Sequence, residues 1–392
     1  MKEVISTERI PIKLWLNDIE EGALKQAKNL ANLPFAFKHI AIMPDCHQGY
    51  GMPIGGVLAT ENVIIPNAVG VDIGCGIIVK KTGLTEISKD DLKSIMGKIR
   101  EKIPVGFNHH DKPQSEEHMP EISMGYAIGG LPYIINREYE SAKRQVGTLG
   151  GGNHFIEIQK NNEGHIYIMI HSGSRNLGKK VADHYNKLAK ELNKKWYSFV
   201  PKEHDLAFLP INTKEASDYI LEMNYCVNFA LSNRKLIMKR VIDSFEEVIG
   251  IPINYLPINI AHNYAKLENH FGKNVWIHRK GATKAYKDDI GIIPGSQGTS
   301  SYIVKGKGNL ESFMSCSHGA GRKIGRKQAI KELNLNEEIK KMNEQGIIHR
   351  LRHQKDLDEA SGAYKDIDIV MENQKDLVEI VTELKPLAVI KG

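Results

Sequence analysis

Six short segments spread along the chain combine glycine with histidine, cysteine or aspartate, and they constrain the fold more than any other feature. Glycine allows sharp turns and close backbone approach, so each segment favours a loop over regular structure. Imidazole, thiol and carboxyl groups in such loops can bind metals or transfer protons. We therefore expect a fold that gathers distant loops at one site. The six segments are residues 43–51, 69–76, 147–157, 171–175, 259–264 and 315–322.

Size and composition indicate a folded protein. The chain has 392 residues, of which 41% are hydrophobic and 26% are charged, as in globular proteins. Its net charge of +6 is compatible with a nucleic-acid partner, and equally with an enzyme of small anions. Four cysteines are too few for a disulfide framework, and no apolar stretch has membrane-spanning length. These features predict a cytoplasmic protein with no membrane partner.

Hydrophobic periodicity predicts an α+β fold, with one catalytic domain over residues 1–392. Apolar residues at helical spacing indicate an amphipathic helix over 177–192 and a long helix or a helix pair over 220–248. Further helices are expected at about 326–345 and within 366–384. Short apolar runs, most of them flanked by glycine, predict strands at 63–65, 69–73, 77–79, 166–170, 275–278 and 302–304.

Aspartate, cysteine and histidine in the glycine segments form a candidate metal site. The i, i+3 spacing of Asp72 and Cys75 can bring a carboxylate and a thiolate to one cation, but a turn-capping aspartate beside an inert cysteine fits equally well. His154, His171 and His262 lie at turns or strand ends, where a histidine can also be structural. A thiolate can bridge two cations, so the set is compatible with a binuclear site. These ligand types favour Zn, Fe or Cu and do not by themselves indicate manganese.

His318 stands between small residues in the segment 315–322. Taken alone, it can be a metal ligand, a general base, a nucleophile toward phosphorus, or a buried histidine beside a tight turn. The neighbouring glycines leave room for close approach of a phosphate. Taken alone, the segment favours the buried structural histidine, and the reactive and metal-binding roles stay open as alternatives.

Several features are suited to phosphate binding. The loops 150–153 and 293–301 can present backbone N–H groups and hydroxyls to an anion, or be plain loops. Arg175, Arg279 and Arg322 lie in separate segments, as expected for contacts with several phosphates rather than one. Surface arginines with no ligand are the alternative.

The motifs taken together resemble the RtcB family of RNA-splicing ligases, from about residue 10 to the end of the chain. The resemblance implies a large catalytic domain of mixed β-sheets surrounded by helices, with a central metal and nucleotide cleft. The matching motifs are MPDCHQGYG, GVDIGCG, GTLGGGNHFIEI, HSGSR, HNYA, HRKGA, IPGSQGTSS, SCSHGAGR, YKDID and the final Lys-Gly.

This resemblance implies a GTP- and Mn²⁺-dependent RNA ligase. Such enzymes join RNA bearing a 2′,3′-cyclic phosphate or 3′-phosphate to RNA bearing a 5′-hydroxyl. His318 matches the histidine that attacks GTP and becomes guanylylated. RNA and GTP are the implied partners, and an archease-like activator is a further candidate.

The resemblance also assigns roles to individual residues. Asp72, Cys75 and His154 would hold one of two Mn²⁺ ions, and Cys75, His171 and His262 the other, with Cys75 bridging. Asp45 matches a carboxylate near the metals and is expected to help open the cyclic phosphate. The residues implied to contact guanosine are Asn153, Phe155, Glu157, Ser296, Ser301, Ala320, Gly321, Tyr364 and Lys391.

Two segments depart from the family pattern, and other function classes stay open. Cys46 occupies a position where a non-thiol residue is expected. Residues 105–117 differ from the basic region of bacterial relatives, which puts the RNA-end specificity in doubt. A binuclear metal phosphoesterase would need the same metal ligands without a covalent histidine. A catalytically silent RNA-end-binding protein would need neither, so the complete ligand set argues against it.

Overall fold

Two large β-sheets form the centre of the computed structural model, which describes residues 1–121 and 133–392. The strands are β1 (Glu3–Ile5), β2 (Ile12–Leu14), β3 (Ala36–His47), β4 (Ile54–Thr60), β5 (Val63–Ile64), β6 (Gly76–Lys81), β7 (Phe155–Asn161), β8 (Ile166–Ser172), β9 (Leu209–Pro210), β10 (Ile258–Ala261), β11 (Asn263–His270), β12 (Lys273–Lys280), β13 (Ala282–Lys284), β14 (Ile290–Ile293), β15 (Ser301–Gly306), β16 (Ser315–Ser317) and β17 (Val378–Lys391).

The two sheets contain six and seven strands. The six-stranded sheet has the order β1-β2-β3-β4-β12-β11, and the seven-stranded sheet has the order β10-β6-β8-β7-β17-β15-β14. Pairing is antiparallel except between β2 and β3. Two strand pairs, β13-β16 and β5-β9, stand apart from these sheets. The α+β class expected from the sequence is confirmed.

Helices cover the outer faces of the sheets. None of those in the described residues combines the length and apolar character needed to cross a membrane. They are α1 (Glu21–Ala31), α2 (Pro66–Val69), α3 (Lys89–Lys102), α4 (Tyr133–Gln145), α5 (Arg175–Lys195), α6 (Lys214–Ile249), α7 (Arg326–Glu332), α8 (Leu335–Glu344) and α9 (Ile367–Asn373).

Helix α6 is one long helix. The sequence predicted either one long helix or a helix pair in this region, and the first alternative is correct. Thr213 caps its N-terminus by accepting a hydrogen bond from the backbone N–H of Ala216. The helix ends at Gly250, whose left-handed conformation carries little penalty for glycine. Apolar residues of α6, including Ile237 and Phe245, pack with α3 against the seven-stranded sheet. This core anchors the strands whose ends carry the candidate site.

Three sequence predictions about regular structure are wrong. Residues 326–345 form two helices, α7 and α8, instead of one. Residues 69–73 end α2 and continue as a turn instead of forming a strand. Residues 366–384 contain α9 followed by β17, because the apolar positions after Asn373 serve a strand that pairs with β7 and β15. An apolar run of this length does not distinguish helix from strand by periodicity alone.

A buried ion pair connects the last two strands of the six-stranded sheet. Arg279 donates to both carboxylate oxygens of Glu268 at 2.6 and 2.9 Å and is fully buried. Arg279 is therefore unavailable to RNA, and its expected phosphate contact is not supported. Burial raises the pKa of Glu268, but hydrogen bonds from His270 and Arg279 lower it to about 2. The resulting stabilisation is complete above the ordinary pKa of 4.5 and is lost as the pH falls through about 2.

Replacing Arg279 by methionine is expected to lower the free energy of unfolding at neutral pH by roughly 3–5 kcal/mol, because Glu268 would keep a buried charge without its partner. Urea unfolding followed by circular dichroism measures the change. As a control, Lys273→Met breaks the exposed ion pair with Glu61 and should cost less than about 1 kcal/mol. Equal losses in the two variants would contradict this account.

Candidate metal and nucleotide site

Four neighbouring strands of the seven-stranded sheet bring the candidate metal ligands to one edge. Strand β6 begins beside the end of β8, and β7 begins beside the same end, as the pairs Gly76–Ser172 and Phe155–His171 show. Strand β10 ends beside the start of β6. Asp72 and Cys75 precede β6, His154 precedes β7, His171 lies near the end of β8, and His262 follows β10. Antiparallel pairing thus gathers five side chains that are far apart in sequence.

The donor atoms of these side chains form two groups that share Cys75. One group contains Asp72, Cys75 and His154, and the other contains Cys75, His171 and His262; within each group the donor atoms lie within 4.8 Å of one another. The Cys75 Sγ lies 3.2 Å from His171 Nε2 and 3.5 Å from His154 Nε2. His154 Nε2 lies 3.0 Å from Asp72 Oδ2. Sulfur, imidazole and carboxylate atoms at this spacing could hold a metal ion in each group.

Burial controls the protonation of these groups. It lowers the pKa values of His171 and His262 well below the usual range, so both imidazoles are neutral and can offer a lone pair. Burial and the Asp72 carboxylate raise the pKa of the Cys75 thiol well above its usual value. Burial would also raise the pKa of Asp72, but its hydrogen bond with His154 lowers it to about 2. Metal binding at Cys75 must therefore release a proton.

The two ring nitrogens of His171 have different surroundings. Its Nδ1–H donates to the backbone carbonyl of Asn153 at 3.0 Å, because a carbonyl oxygen only accepts. The Nε2 lone pair of His171 faces Cys75, and the distance from His171 Nε2 to His262 Nε2 is 3.4 Å. Two neutral nitrogens and a sulfur gathered in this way fit a metal-ligand set better than a hydrogen-bond network.

His318 and Asp45 form a close pair beside the metal-ligand groups. The His318 Nδ1 lies 2.6 Å from Asp45 Oδ2, which also accepts from the backbone N–H groups of His318 and Gly319 at 3.0 and 3.3 Å. Burial would raise the pKa of Asp45, but the charge and hydrogen bonds of His318 lower it. The ionised carboxylate only accepts, so Nδ1 carries the proton of this hydrogen bond, and Nε2 is the ring nitrogen that does not contact Asp45. The His318 ring lies 4.7 Å from that of His262, centroid to centroid.

Gly321 allows this pair to form. Its φ is +73°, and a Cβ at this position would overlap the backbone carbonyl of Asp45. The loop after β16 can therefore lie directly on β3 of the six-stranded sheet only with glycine here. This contact brings the His318 segment onto the strand that carries Asp45.

The residues expected to contact guanosine fall into two neighbouring parts of the structure. Phe155 and Lys391 face each other across β7 and β17, with the Lys391 Nζ 5.7 Å from the ring centre. Gln159 donates to Glu157 at 2.6 Å and to Ser301 at 3.1 Å, which joins β7 to β15. Burial raises the pKa of Glu157 to about 8. A hydrophobic ring, a buried carboxyl and a lysine thus lie on adjacent strands.

The remaining residues expected to contact guanosine lie on nearby loops. Asn153 contacts His171, whereas Ser296 closes a turn with Thr299 at 3.0 Å. Tyr364 donates to Glu359, whose charge acts on Lys391. Ala320 and Gly321 follow His318 directly in the chain.

The two other candidate arginines differ in their surroundings. Arg175 donates to Thr148 at 3.1 Å and to the carbonyl of Gly106 at 3.3 Å, and its charge acts on Asp72. Its position beside the metal-ligand groups suits a phosphate contact. Arg322 instead forms an ion pair with Glu359 at 2.9 Å and is mostly buried. The structure thus gives Arg322 a structural partner that the sequence did not reveal.

Sequence reasoning missed Gln159 and Glu359. Glu359 accepts from Tyr364 and pairs with Arg322 and Arg326, so it links several loops near Lys391. Gln159 holds the Glu157 carboxyl. Neither residue lies in a glycine segment, and the only available signal was the alternation of β7, which places Gln159 on the same face as Phe155 and Glu157.

Comparison with known proteins identifies the family. A family model described as tRNA-splicing ligase RtcB matches residues 26–392. The RNA-splicing ligase RtcB of Escherichia coli (strain K12) is 36% identical, over 100% of this chain and 99% of that protein. The chain belongs to the RtcB family. Two archaeal RtcB proteins described as tRNA-splicing ligases, from Nanoarchaeum equitans and Pyrobaculum aerophilum, are 35% and 33% identical over 98% of this chain and 95% of each relative.

The shared position of Cys75 leads to a test of RtcB metal binding. After loading with Mn²⁺ and removal of free metal, elemental mass spectrometry should find two ions per wild-type chain. Cys75→Ala should retain fewer than one, because each group loses a ligand at once. Cys226→Ala, a buried cysteine in α6, should still bind both ions. Two ions in Cys75→Ala would exclude a bridging role for its sulfur.

Proposed function

We propose that the protein is an RNA ligase that joins a 3′-phosphate or 2′,3′-cyclic phosphate end to a 5′-hydroxyl end, with GTP and two Mn²⁺ ions. The observation that carries this proposal is the His318–Asp45 pair, placed beside two metal-ligand groups that share Cys75. Membership of the RtcB family supports the same reaction. We further propose that the enzyme acts in the cytoplasm, where an archease-like protein could assist it.

The five ligands would hold the two ions in an arrangement suited to phosphoryl chemistry. Asp72, Cys75 and His154 would bind one ion, and Cys75, His171 and His262 the other. Bound metal ions neutralise charge on phosphate oxygens and align the reacting groups. The donor set alone does not select manganese over zinc, so the choice of Mn²⁺ rests on the family.

His318 is the proposed nucleophile. Its Nε2 lone pair would attack the α-phosphorus of GTP, forming an N–P bond while pyrophosphate leaves. Asp45 would keep the proton on Nδ1 and stabilise the positive charge that the ring gains on attack. We therefore propose that Asp45 positions His318, in addition to the expected part in opening the cyclic phosphate.

The later steps pass the guanylate to RNA. A cyclic phosphate is first hydrolysed to a 3′-phosphate. An oxygen of the 3′-phosphate would then attack the phosphorus of the histidine-bound guanylate, and the N–P bond would break. The 5′-hydroxyl of the second RNA end would attack the activated 3′-phosphate and release GMP. Arg175, whose charge acts on Asp72, would contact an RNA phosphate during these transfers.

Guanosine is proposed to bind between Phe155 and the loop that follows His318. Phe155 offers a ring for stacking, and Glu157 can accept hydrogen bonds from the N–H groups of guanine. Lys391 lies beside both residues and would hold Glu157 in its ionised form when the base is bound. A carboxylate acceptor in this position would favour guanine over adenine.

His318→Ala is expected to abolish the covalent adduct that forms on incubation with GTP and Mn²⁺. Intact-mass measurement and peptide mapping detect the added GMP and its position. Asp45→Asn should slow adduct formation by roughly 100- to 10,000-fold, because the amide no longer holds the same imidazole tautomer. Absence of an adduct in the metal-loaded wild type would refute the ligase proposal and favour a phosphoesterase.

Glu157→Gln is expected to weaken adduct formation at low GTP concentration by roughly 10- to 100-fold, as expected for lost hydrogen bonds to a charged acceptor. In the wild type the rate of adduct formation at low GTP concentration should rise with pH up to about 8, because the ionised carboxylate of Glu157 is the form that binds guanine. The variant should lack that rise. Glu163→Gln, on an exposed residue after β7, is the matched control. An unchanged GTP dependence in Glu157→Gln would remove this residue from the guanosine site.

A further inference from the structure

A cavity of about 720 Å³ adjoins the proposed guanosine site and shares Lys391 with it. Its lining includes Arg100 at the end of α3, Arg350 and Lys355 before α9, and Phe107. We call it the arginine cavity. Its volume is in the range of ligand-binding sites. Different charged groups act on the two lining residues Lys391 and Arg100: mainly acidic side chains on Lys391, and other arginines on Arg100.

The charged residues around the arginine cavity form two groups. Near Lys391, Glu359 and Asp358 are balanced by basic groups that include Arg322 and Arg326. The charged side chains that act on Arg100 are Arg350, which also lines the cavity, and Arg352. Among the described residues no acidic side chain forms an ion pair with these three arginines.

Like charges that are brought together without acidic partners indicate a site for an anion. Arg100 is about half buried, so its charge is only partly hydrated. Asp356, which also lines the cavity, accepts from the backbone N–H groups of Arg352 and His353 at 3.0 and 2.9 Å. Its carboxylate is thus engaged in a turn. A phosphate could lie between the arginines and receive several charged hydrogen bonds.

Phe107 adds an aromatic surface to the cavity. Its side chain is 99% exposed although it lies on the cavity wall. Such an aromatic ring gains nothing from packing within the chain, but it can stack on an unpaired base. Asn108, the next residue, also lines the cavity and offers polar groups to a base edge.

The arginine cavity is connected to the candidate metal site through the backbone. Gly106 donates to the carbonyl of Gly150 at 2.9 Å, and Arg175 donates to the carbonyl of Gly106. Gly152 lines the cavity and lies two residues before His154. The backbone N–H of Gly392, also in the lining, donates to the His154 carbonyl at 3.2 Å. A chain bound in the cavity would therefore lie beside a loop that leads to the metal ligands.

We propose that the arginine cavity binds the single-stranded segment of an RNA substrate next to its reacting end. Arg100 and Arg350 contact backbone phosphates, and Phe107 stacks on an unpaired base. This inference rests on the proposed function and adds a residue-level site for the RNA strand. Binding of GTP phosphates in the cavity is the competing source of phosphate, and the test separates the two.

The test measures binding of a fluorescein-labelled single-stranded RNA of ten nucleotides with a 3′-phosphate to the full Mn²⁺-loaded chain by fluorescence anisotropy. Arg100→Glu/Arg350→Glu should raise Kd by on the order of 10-fold or more at 0.1 M KCl. The slope of log Kd against log salt concentration should fall by roughly 1.4, as expected for two lost contacts with the phosphates of a single strand. Lys187→Glu/Lys214→Glu is the control, because it makes the same change of charge on exposed side chains outside the cavity.

A second pair of variants tests stacking. Phe107→Ala should raise Kd about 5- to 100-fold, in the range for loss of one stacked base. Phe199→Ala is the matched control, since Phe199 is 98% exposed and lies outside the cavity lining. Both phenylalanines are almost fully exposed, so neither truncation removes buried packing. Arg100→Gln/Arg350→Gln provides a milder replacement if the charge reversals fail to fold.

Three results would overturn the proposal. The first is equal RNA affinity in the arginine variant and its lysine control. The second is equal affinity in Phe107→Ala and Phe199→Ala. The third is loss of the His318 guanylyl adduct in the arginine variant with RNA affinity unchanged, which would assign the cavity to GTP. If the wild type forms no adduct, the ligase proposal fails, but the anisotropy measurements still decide whether the cavity binds RNA.

Discussion

The rest of the site depends on the Cys75 sulfur, because it belongs to both metal-ligand groups. Two groups of donor atoms meet there, and the strand ends that supply them belong to one sheet edge. Because the sulfur is buried, its thiol holds its proton more strongly than a free cysteine would. The imidazoles of His171 and His262 are neutral because they are buried as well. The site thus combines neutral imidazoles at His171 and His262, a protonated Cys75 thiol and an ionised Asp72 carboxylate, and a cation that binds the sulfur must displace the thiol proton.

The second sheet contributes the reactive part of the site. His262 directly precedes β11, so the backbone passes from the seven-stranded sheet to the six-stranded sheet at a metal-ligand position. Asp45 comes from β3 of the six-stranded sheet and holds His318 through Nδ1. The carboxylate is fully buried and accepts from the imidazole and from two backbone N–H groups, which restricts the rotation of the ring. The interface between the sheets therefore sets the direction of His318 Nε2.

Regular structure was predictable where the apolar pattern was long and undivided. Helical spacing alone predicts the amphipathic α5 and the helical structure of α6, although it left one long helix and a helix pair as alternatives for α6. The structure of the region 366–384 did not follow from spacing, because an apolar pattern shared between a short helix and a β-strand has no single period. Strand partners such as β17 with β7 depend on residues more than 200 positions away. No local pattern contains that information.

The amino-acid sequence identifies the chemical groups: which histidines, cysteines and carboxylates lie in glycine-rich segments, and which family their motifs match. How each group is used depends on the contacts that it makes in the folded chain. Arg175 and Arg279 look alike in sequence, yet Arg279 is neutralised by Glu268 inside the sheet, whereas Arg175 lies beside Asp72. Glu359 and the arginine cavity had no local signal at all. The reason is physical, since burial and charge pairing depend on contacts between distant segments, whereas a motif records only its own neighbours.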